Sequence, residues 1–222
     1  MTARNPERSR TSGRPGPLSE GRGLSIGAVV LAAGLSRRMG KEKVLLPLGP
    51  ETVLERVLAT LAAAGISEKV VVLREDLAGA IEIARREGAR MAINPRPEEE
   101  MLLSIRLGMM ELNAELDAFF VWPADHPAVG AATLEALILA AAPDQVALPT
   151  YEGRRGHPAL VGGHLKGNIA AIPAGLGLRQ LWCDRPEILR EVAVPDEGVL
   201  LDLDTPEDYA KAIARFPLTP GV

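Results

Sequence analysis

Between residues 26 and 151 the chain alternates short aliphatic runs with amphipathic helical stretches, and this alternation restricts the fold more than any other feature. Five runs read as strands: "IGAVVLAA" (26–33), "EKVVVLRE" (68–75), "ARMAIN" (89–94), "DAFFVWPAD" (117–125) and "DQVALPTY" (144–151). Runs this apolar suit strands covered on both faces. Between them, "ETVLERVLATLAAAG" (51–65) puts Val53, Leu54, Val57, Leu58 and Leu61 on one helical face and stops at Gly65. "LAGAIEIARREG" (77–88), "EEEMLLSIRLGMMELN" (98–113) and "GAATLEALILAAA" (130–142) are helical too; the second of these has acidic residues in its first turn, where the helix dipole favours them. Strand–helix repeats joined by short loops give right-handed crossovers and a parallel sheet. The expected class is therefore α/β with a mostly parallel central sheet. Only 3% of residues are aromatic, so Val, Leu, Ile and Ala must build the core.

Beyond residue 150 the regularity loosens. Gly and Pro crowd "YEGRRGHPALVGGHL" (151–165). Short helical pieces are expected near 163–170 and 176–183, and short strands at "EVAVPD" (191–196) and "GVLLDLD" (198–204). "TPEDYAKAIARF" (205–216) closes the chain as a helix, with Thr205 as N-cap and Pro206 in the first turn. No internal repeat or linker divides the chain, so one domain is expected over 25–217, with a C-terminal tail at 218–222. Residues 1–24 have no hydrophobic period and are rich in Arg, Ser, Pro and Gly, which reads as a disordered basic tail. The tail carries five arginines against two glutamates, while the whole chain has a formal charge of −4, so the body is acidic. An acidic body argues against nucleic acid as the main partner. No apolar run approaches the roughly 20 residues that span a bilayer. The lone Cys183 excludes an internal disulfide and a four-cysteine zinc site, and fits a reducing cytoplasm.

The chemistry begins after the first strand. "VVLAAGLSRRMGKEKVLLPLG" (29–49) brackets a basic loop with Gly34 and Gly40. A P-loop requires G-x-x-x-x-G-K-[ST]. Here five residues separate the glycines, and Glu42 stands where the hydroxyl should follow Lys41. Yet ligands of open α/β sheets sit beyond the carboxyl ends of strands, where this loop lies. Successive loop amides with Arg37, Arg38, Lys41 and Lys43 suit a phosphate of another kind.

Three further stretches carry candidate groups. In "PADHP" (123–127), Asp125 ends a buried strand, where a carboxylate can hold Mg²⁺ against phosphate oxygens; a helix-capping role fits the spacing equally. In "LDLDTPEDY" (201–209), Asp202 and Asp204 alternate with leucines as along a strand. Asp204 is nearer the edge, and a capping pair with Thr205 is the competing reading. In "GRRGHPALV" (153–161), His157 sits in a sharp turn, either orienting a phosphate or holding the turn. The histidines have no metal-ligand spacing, and neither G-x-S-x-G nor a G-x-G-x-x-G after the first strand is present.

Taken in order, these stretches resemble a known family. "LAAGLSRRMGKEK" matches the signature L-A-[AG]-G-x-S-x-R-M-G-x-x-K of the molybdenum-cofactor (MobA-like) nucleotidyltransferases. "NPRPEEEMLLSIRLGM" resembles the family's N-P…S-[IV] helix, "PADHP" its D-x-P strand end, "GRRGHPALV" its G-H-P turn and "LDLDTPEDY" its D-[IL]-D-T-P-E-D ending. The resemblance spans roughly residues 26–215 and implies a three-layer Rossmann-like nucleotidyltransferase fold. It implies transfer of a nucleotide monophosphate from an NTP to a phosphate, with release of pyrophosphate. Ala32-Ala33-Gly34, in place of A-G-G, together with the G-H-P turn, resembles the molybdopterin cytidylyltransferases most. The implied substrates are CTP, or another NTP, and molybdopterin; the implied cofactor is Mg²⁺. A molybdoenzyme or its chaperone is the implied onward partner. By this match Leu31, Ala32, Ala33, Gly34, Ser36, Arg37 and Gly40 bind nucleotide, and Lys43, Arg38 and Asp125 are catalytic. Asp125 and Asp204 ligate the metal, while Ser104 and His157 face the acceptor. Glu100 departs from the family, which commonly has glycine there. A sister transferase with another base or acceptor, and a non-catalytic carrier of the cofactor, are the rival readings.

Overall fold

A computed structural model describes residues 23–35, 40–99 and 101–216. The tails expected at 1–24 and 218–222 lie outside these residues, apart from Gly23 and Leu24, as do Ser36, Arg37, Arg38 and Glu100.

The expected strands and helices of the first 150 residues form. They are β1 (Ile26–Leu31), a small hairpin of β2 (Pro47–Leu48) and β3 (Glu51–Thr52), α1 (Val53–Ala63), β4 (Glu68–Leu73), α2 (Ala78–Arg86), β5 (Arg90–Ile93), α3 (Met101–Glu111), β6 (Ala118–Pro123), α4 (Ala131–Leu139) and β7 (Val146–Tyr151). Then come β8 (Arg154–Arg155), β9 (Ala159–Gly162), α5 (Lys166–Ala171), α6 (Gln180–Cys183), β10 (Leu189–Ala193) and α7 (Pro206–Arg215). The main sheet runs β10-β7-β9-β6-β1-β4-β5, with β8 beside β7. All neighbours are parallel except at β9, which lies antiparallel between β6 and β7, and at β8. The architecture is thus three layers around a mostly parallel sheet, as the alternation and the resemblance both imply.

Strand alternation divides the core. Ala28 and Val30 of β1 pack with Leu54, Val57, Leu58 and Leu61 of α1 and with Leu134 of α4 on one face. Val29 of the same strand packs with Leu102 and Ile105 of α3 on the other. Gly108 lets α3 lie close to the sheet: a Cβ there would stand 2.3 Å from Val29 Cγ1. α1 is capped by Thr52 and Glu55, and α7 by Thr205 and Asp208, each as a reciprocal capping box.

Two segments correct the sequence reading. Residues 198–204 are not a strand: a 3₁₀ turn covers Glu197–Leu200, and 201–204 is irregular. The Leu-Asp alternation is real in its facing, because Leu203 is fully buried against Leu46, Leu48 and Val53. But the Leu203 N–H donates to the Asp125 carbonyl at 2.9 Å, with no strand pairing it in a ladder among the described residues. Conversely, the Gly/Pro-rich stretch after 150 contains β9, a fully buried strand.

Candidate active site

The sheet register brings the motifs to one edge. Leu31 is opposite Pro123 of β6 and Val72 of β4, so the segments leaving β1, β4 and β6 emerge side by side. β9 runs the other way, with Ala159 opposite Val121. The turn that precedes β9 therefore arrives at the edge from which its neighbours depart, and it carries His157. Gly156 is needed there: a Cβ would come within 2.4 Å of the Val199 carbonyl oxygen. The His157 N–H donates to that same oxygen at 2.9 Å.

Lys43, Asp125 and Asp204 converge. Lys43 opens the 3₁₀ turn Lys43–Leu45 and donates from Nζ to Asp204 Oδ1 at 2.7 Å. The same nitrogen is 3.9 Å from Asp125 Oδ2. The backbone bond from Leu203 to Asp125 sets the spacing of the two aspartate segments. The competing capping readings fall to other residues. Asp196 Oδ2 accepts from the Gly130 N–H and from Thr133 Oγ1, so it serves the start of α4 in place of Asp125. Asp208 completes the Thr205 box in place of Asp204.

The electrostatics are strained on the acidic side. Burial raises the Asp125 pKa above the usual carboxylate range; Lys43 opposes this, while Asp204 and Asp202 add to it. Asp125 Oδ1 is sealed from solvent and has no hydrogen-bond partner among the described residues. Two hard carboxylate oxygens that already flank one cation, one carboxylate holding an unpaired oxygen, form a donor set that fits a divalent ion such as Mg²⁺. His126 and His157 lie beside them, ring centroids 4.6 Å apart. Burial, the leading cause for both, lowers each to about 4, so both imidazoles are neutral at pH 7. Each has a sealed Nδ1 without a partner among the described residues.

A cavity of about 490 Å³ adjoins this cluster. Among the described residues, Met101, Ile105, Leu148, Leu178 and Trp182 make it apolar, and His157, Arg155 and Arg179 are its polar lining. Ser104 is not in that lining. It is buried and accepts a hydrogen bond from Asn94 Nδ2 at 2.9 Å, while Asn94 Oδ1 accepts from the Arg96 N–H at 2.8 Å. The N-P…S pair thus braces α3 against the end of β5. Leu31 ends β1, the Ala32 N–H extends the ladder to Val72 O at 2.9 Å, and Ala33 is buried. A Cβ at Gly34 would meet no described atom within 4 Å, and Gly40 takes φ +61°.

Sequence reasoning passed over Arg74, directly after β4. It is buried and donates to Gly34 O, Glu42 and Asp76. An arginine on the "VVLRE" strand end, at the same edge as the loop, was the available signal. The cavity's Trp182 and Arg179 had none, being set by the packing of α6.

A family model described as the MobA-like NTP transferase domain matches residues 28–188. The chain belongs to this family. As a MobA-like nucleotidyltransferase, it is 26% identical to nicotine blue oxidoreductase of Paenarthrobacter nicotinovorans over 85% of this chain and 96% of that protein. It is 33% identical to a probable molybdenum cofactor guanylyltransferase of Methanosarcina acetivorans over 62% of this chain and 63% of that protein. It is 24% identical to the molybdenum cofactor cytidylyltransferase of Escherichia coli over 86% and 97%. Among solved structures, Rv0371c of Mycobacterium tuberculosis superposes with a TM-score of 0.74 at 28% identity, over 87% of this chain and 99% of that one. Its manganese complex gives 0.72 at 26%, over 86% and 99%.

Proposed function

We propose that the protein transfers CMP from CTP to the terminal phosphate of molybdopterin and releases pyrophosphate. The observation that carries this reading is the meeting of Lys43, Asp125 and Asp204 at the loop edge of the sheet, beside an apolar cavity rimmed by arginines. Among its described lining residues the cavity offers Trp182, aliphatic side chains and cations, which suit a fused heterocycle bearing an anion. By the family resemblance, Ala32-Ala33-Gly34 in place of A-G-G supports cytidine over guanosine.

In this mechanism a phosphate oxygen of the acceptor forms a bond to the α-phosphorus as the bond to the pyrophosphate oxygen breaks in line. Asp125 and Asp204 would hold a divalent ion, Mg²⁺, which when bound neutralises charge on the phosphate oxygens. Lys43 stabilises the growing charge at the α-phosphate, and Arg38 with the amides around Gly34, Ser36, Arg37 and Gly40 holds the leaving pyrophosphate. The attacking group is already an anion, so no general base is needed. His157 acts as a neutral hydrogen-bonding group toward the acceptor, since an imidazole with a pKa near 4 is not an imidazolium acid at pH 7 and keeps one donor and one acceptor nitrogen.

The test is one assay: purified protein, Mg²⁺, each NTP in turn, and molybdopterin, scored for pyrophosphate. CTP should exceed GTP, ATP and UTP. Preference for GTP would move the protein to the guanylyl branch; no pyrophosphate from any base would favour a carrier. An oxidoreductase reading has the name of one relative behind it, but no G-x-G-x-x-G follows β1. NAD(P)H consumption in the same preparation would overturn that exclusion.

A further inference from the structure

Arg74 is only 6% exposed, at the edge where the segment after β1 emerges. A buried guanidinium is retained where its partners require it. Nη1 donates to the Gly34 carbonyl at 2.7 Å, Nη2 to Glu42 Oε1 at 2.6 Å and Nε to Asp76 Oδ1 at 2.9 Å. Gly34 stands at the start of the glycine-bracketed loop and Glu42 just beyond its end. The planar fork of arginine can serve both ends and Asp76 at once; a lysine presents a single point charge.

Glu42 carries the tie forward. Its carbonyl accepts from the Leu45 N–H at 3.0 Å, and the Leu46 N–H donates to Lys43 O at 3.1 Å. These bonds form the 3₁₀ turn from which Lys43 reaches Asp204. The sequence puzzle of Glu42 also resolves: a carboxylate beside a triphosphate would repel it, but this one is turned to Arg74.

We propose that Arg74 is the positioning residue of the phosphate loop, tying its two ends through Gly34 and Glu42 and so fixing where Lys43 presents its ammonium. The catalytic half of this proposal rests on the nucleotidyl-transfer reading; the tie itself rests on geometry alone.

Arg74→Met, Arg74→Lys and Glu42→Ala test it with two readouts. The first is hydrogen–deuterium exchange without substrate. The amides of Leu45 and Leu46 should exchange faster in Arg74→Met and Glu42→Ala, while those of β1 and β4 stay at parent rates. The second is steady-state kinetics. We expect a roughly ten- to hundredfold loss of kcat/KM for the nucleotide, the scale of a small misplacement, with the acceptor KM unchanged and partial recovery in Arg74→Lys. Unchanged exchange in both variants overturns the tie. Faster exchange with parent-like kcat/KM overturns the positioning role. A parent protein that releases no pyrophosphate from any NTP sinks the functional reading instead, and the exchange experiment still judges the tie. Should Arg74→Met fail to fold, Glu42→Ala carries both readouts, because the Glu42 side chain is 36% exposed.

Discussion

Replacing Gly108 by alanine sets two known effects against each other. Gly108 is inside α3, where alanine is favoured over glycine by about 1 kcal/mol. The site, however, has no room. A Cβ would stand 2.3 Å from Val29 Cγ1 and 2.9 Å from Val72 Cγ2, where ordinary contact is 3.4–4 Å. Both valines are fully buried in strands paired on both sides, so neither can retreat. A shift of more than 1 Å is needed, and overpacking of a tight core costs about 1–3 kcal/mol. The upper end applies here, so Gly108→Ala should destabilise by about 2 kcal/mol net. Urea unfolding followed by the fluorescence of buried Trp122 measures this. Val29→Ala removes the nearest clashing atom, Val29 Cγ1, while Val72 Cγ2 at 2.9 Å stays, so the double variant should recover part of the loss, with a favourable coupling of roughly 1 kcal/mol. A neutral or stabilised Gly108→Ala, or a double variant showing simple additivity, would refute the packing argument. Because Met101 and Ile105 of α3 line the cavity, the single variant should also raise the acceptor KM.

Other expectations are more direct. Gly167→Ala in α5, where a Cβ meets nothing within 4 Å, should stabilise by about 0.5–1 kcal/mol in the same urea assay. Lys43→Ala should cost roughly 10²–10³ in kcat; a change confined to KM would make Lys43 a plain binding residue. Asp125→Ala should abolish turnover and weaken Mn²⁺ binding by electron paramagnetic resonance, with an unchanged circular dichroism spectrum; near-parent rates in Mg²⁺ would remove it from the ligand set. Acid should destabilise the metal-free protein through His126 and His157. Their folded pKa values are about 4 against 6.5, so the unfolded state takes protons first. Their contribution is complete above pH 6.5 and is lost as pH falls toward 4, by up to about 3 kcal/mol per histidine. His157→Gln should show a shallower stability loss between pH 7 and 4.5; an unchanged slope contradicts the assigned burial cost.

The strands and helices up to residue 151 were legible because each buries a face, and burial imposes the periodicities that sequence displays. The placement of the candidate groups was legible for the same reason: Asp125 and the Gly34 loop each follow a strand, and the strands end at one edge. Past residue 150 the same logic misled. The Leu-Asp alternation at 201–204 reports which way side chains face, and a backbone without a neighbouring strand can satisfy it. β9 was hidden by the glycines and prolines around it, although Ala159–Gly162 is fully buried. Ser104 matched a motif, yet its hydroxyl braces Asn94. Arg74 went unmarked because its importance arises from three partners far apart in sequence.

The reversed direction of β9 has a consequence for how such a protein can change. Every parallel strand reaches the site with the segment that follows it, whereas β9 reaches it with the segment that precedes it. On the proposed reading the loops after β1 and β4 serve the nucleotide, and the arrival turn at 153–158, which lines the cavity, serves the acceptor. Residues added in that turn would enlarge or reshape one chamber while the register of β1, β4 and β6 stayed intact. On that reading the two substrates sit on separately adjustable parts of a single sheet, and acceptor choice can diverge without rebuilding the chemistry.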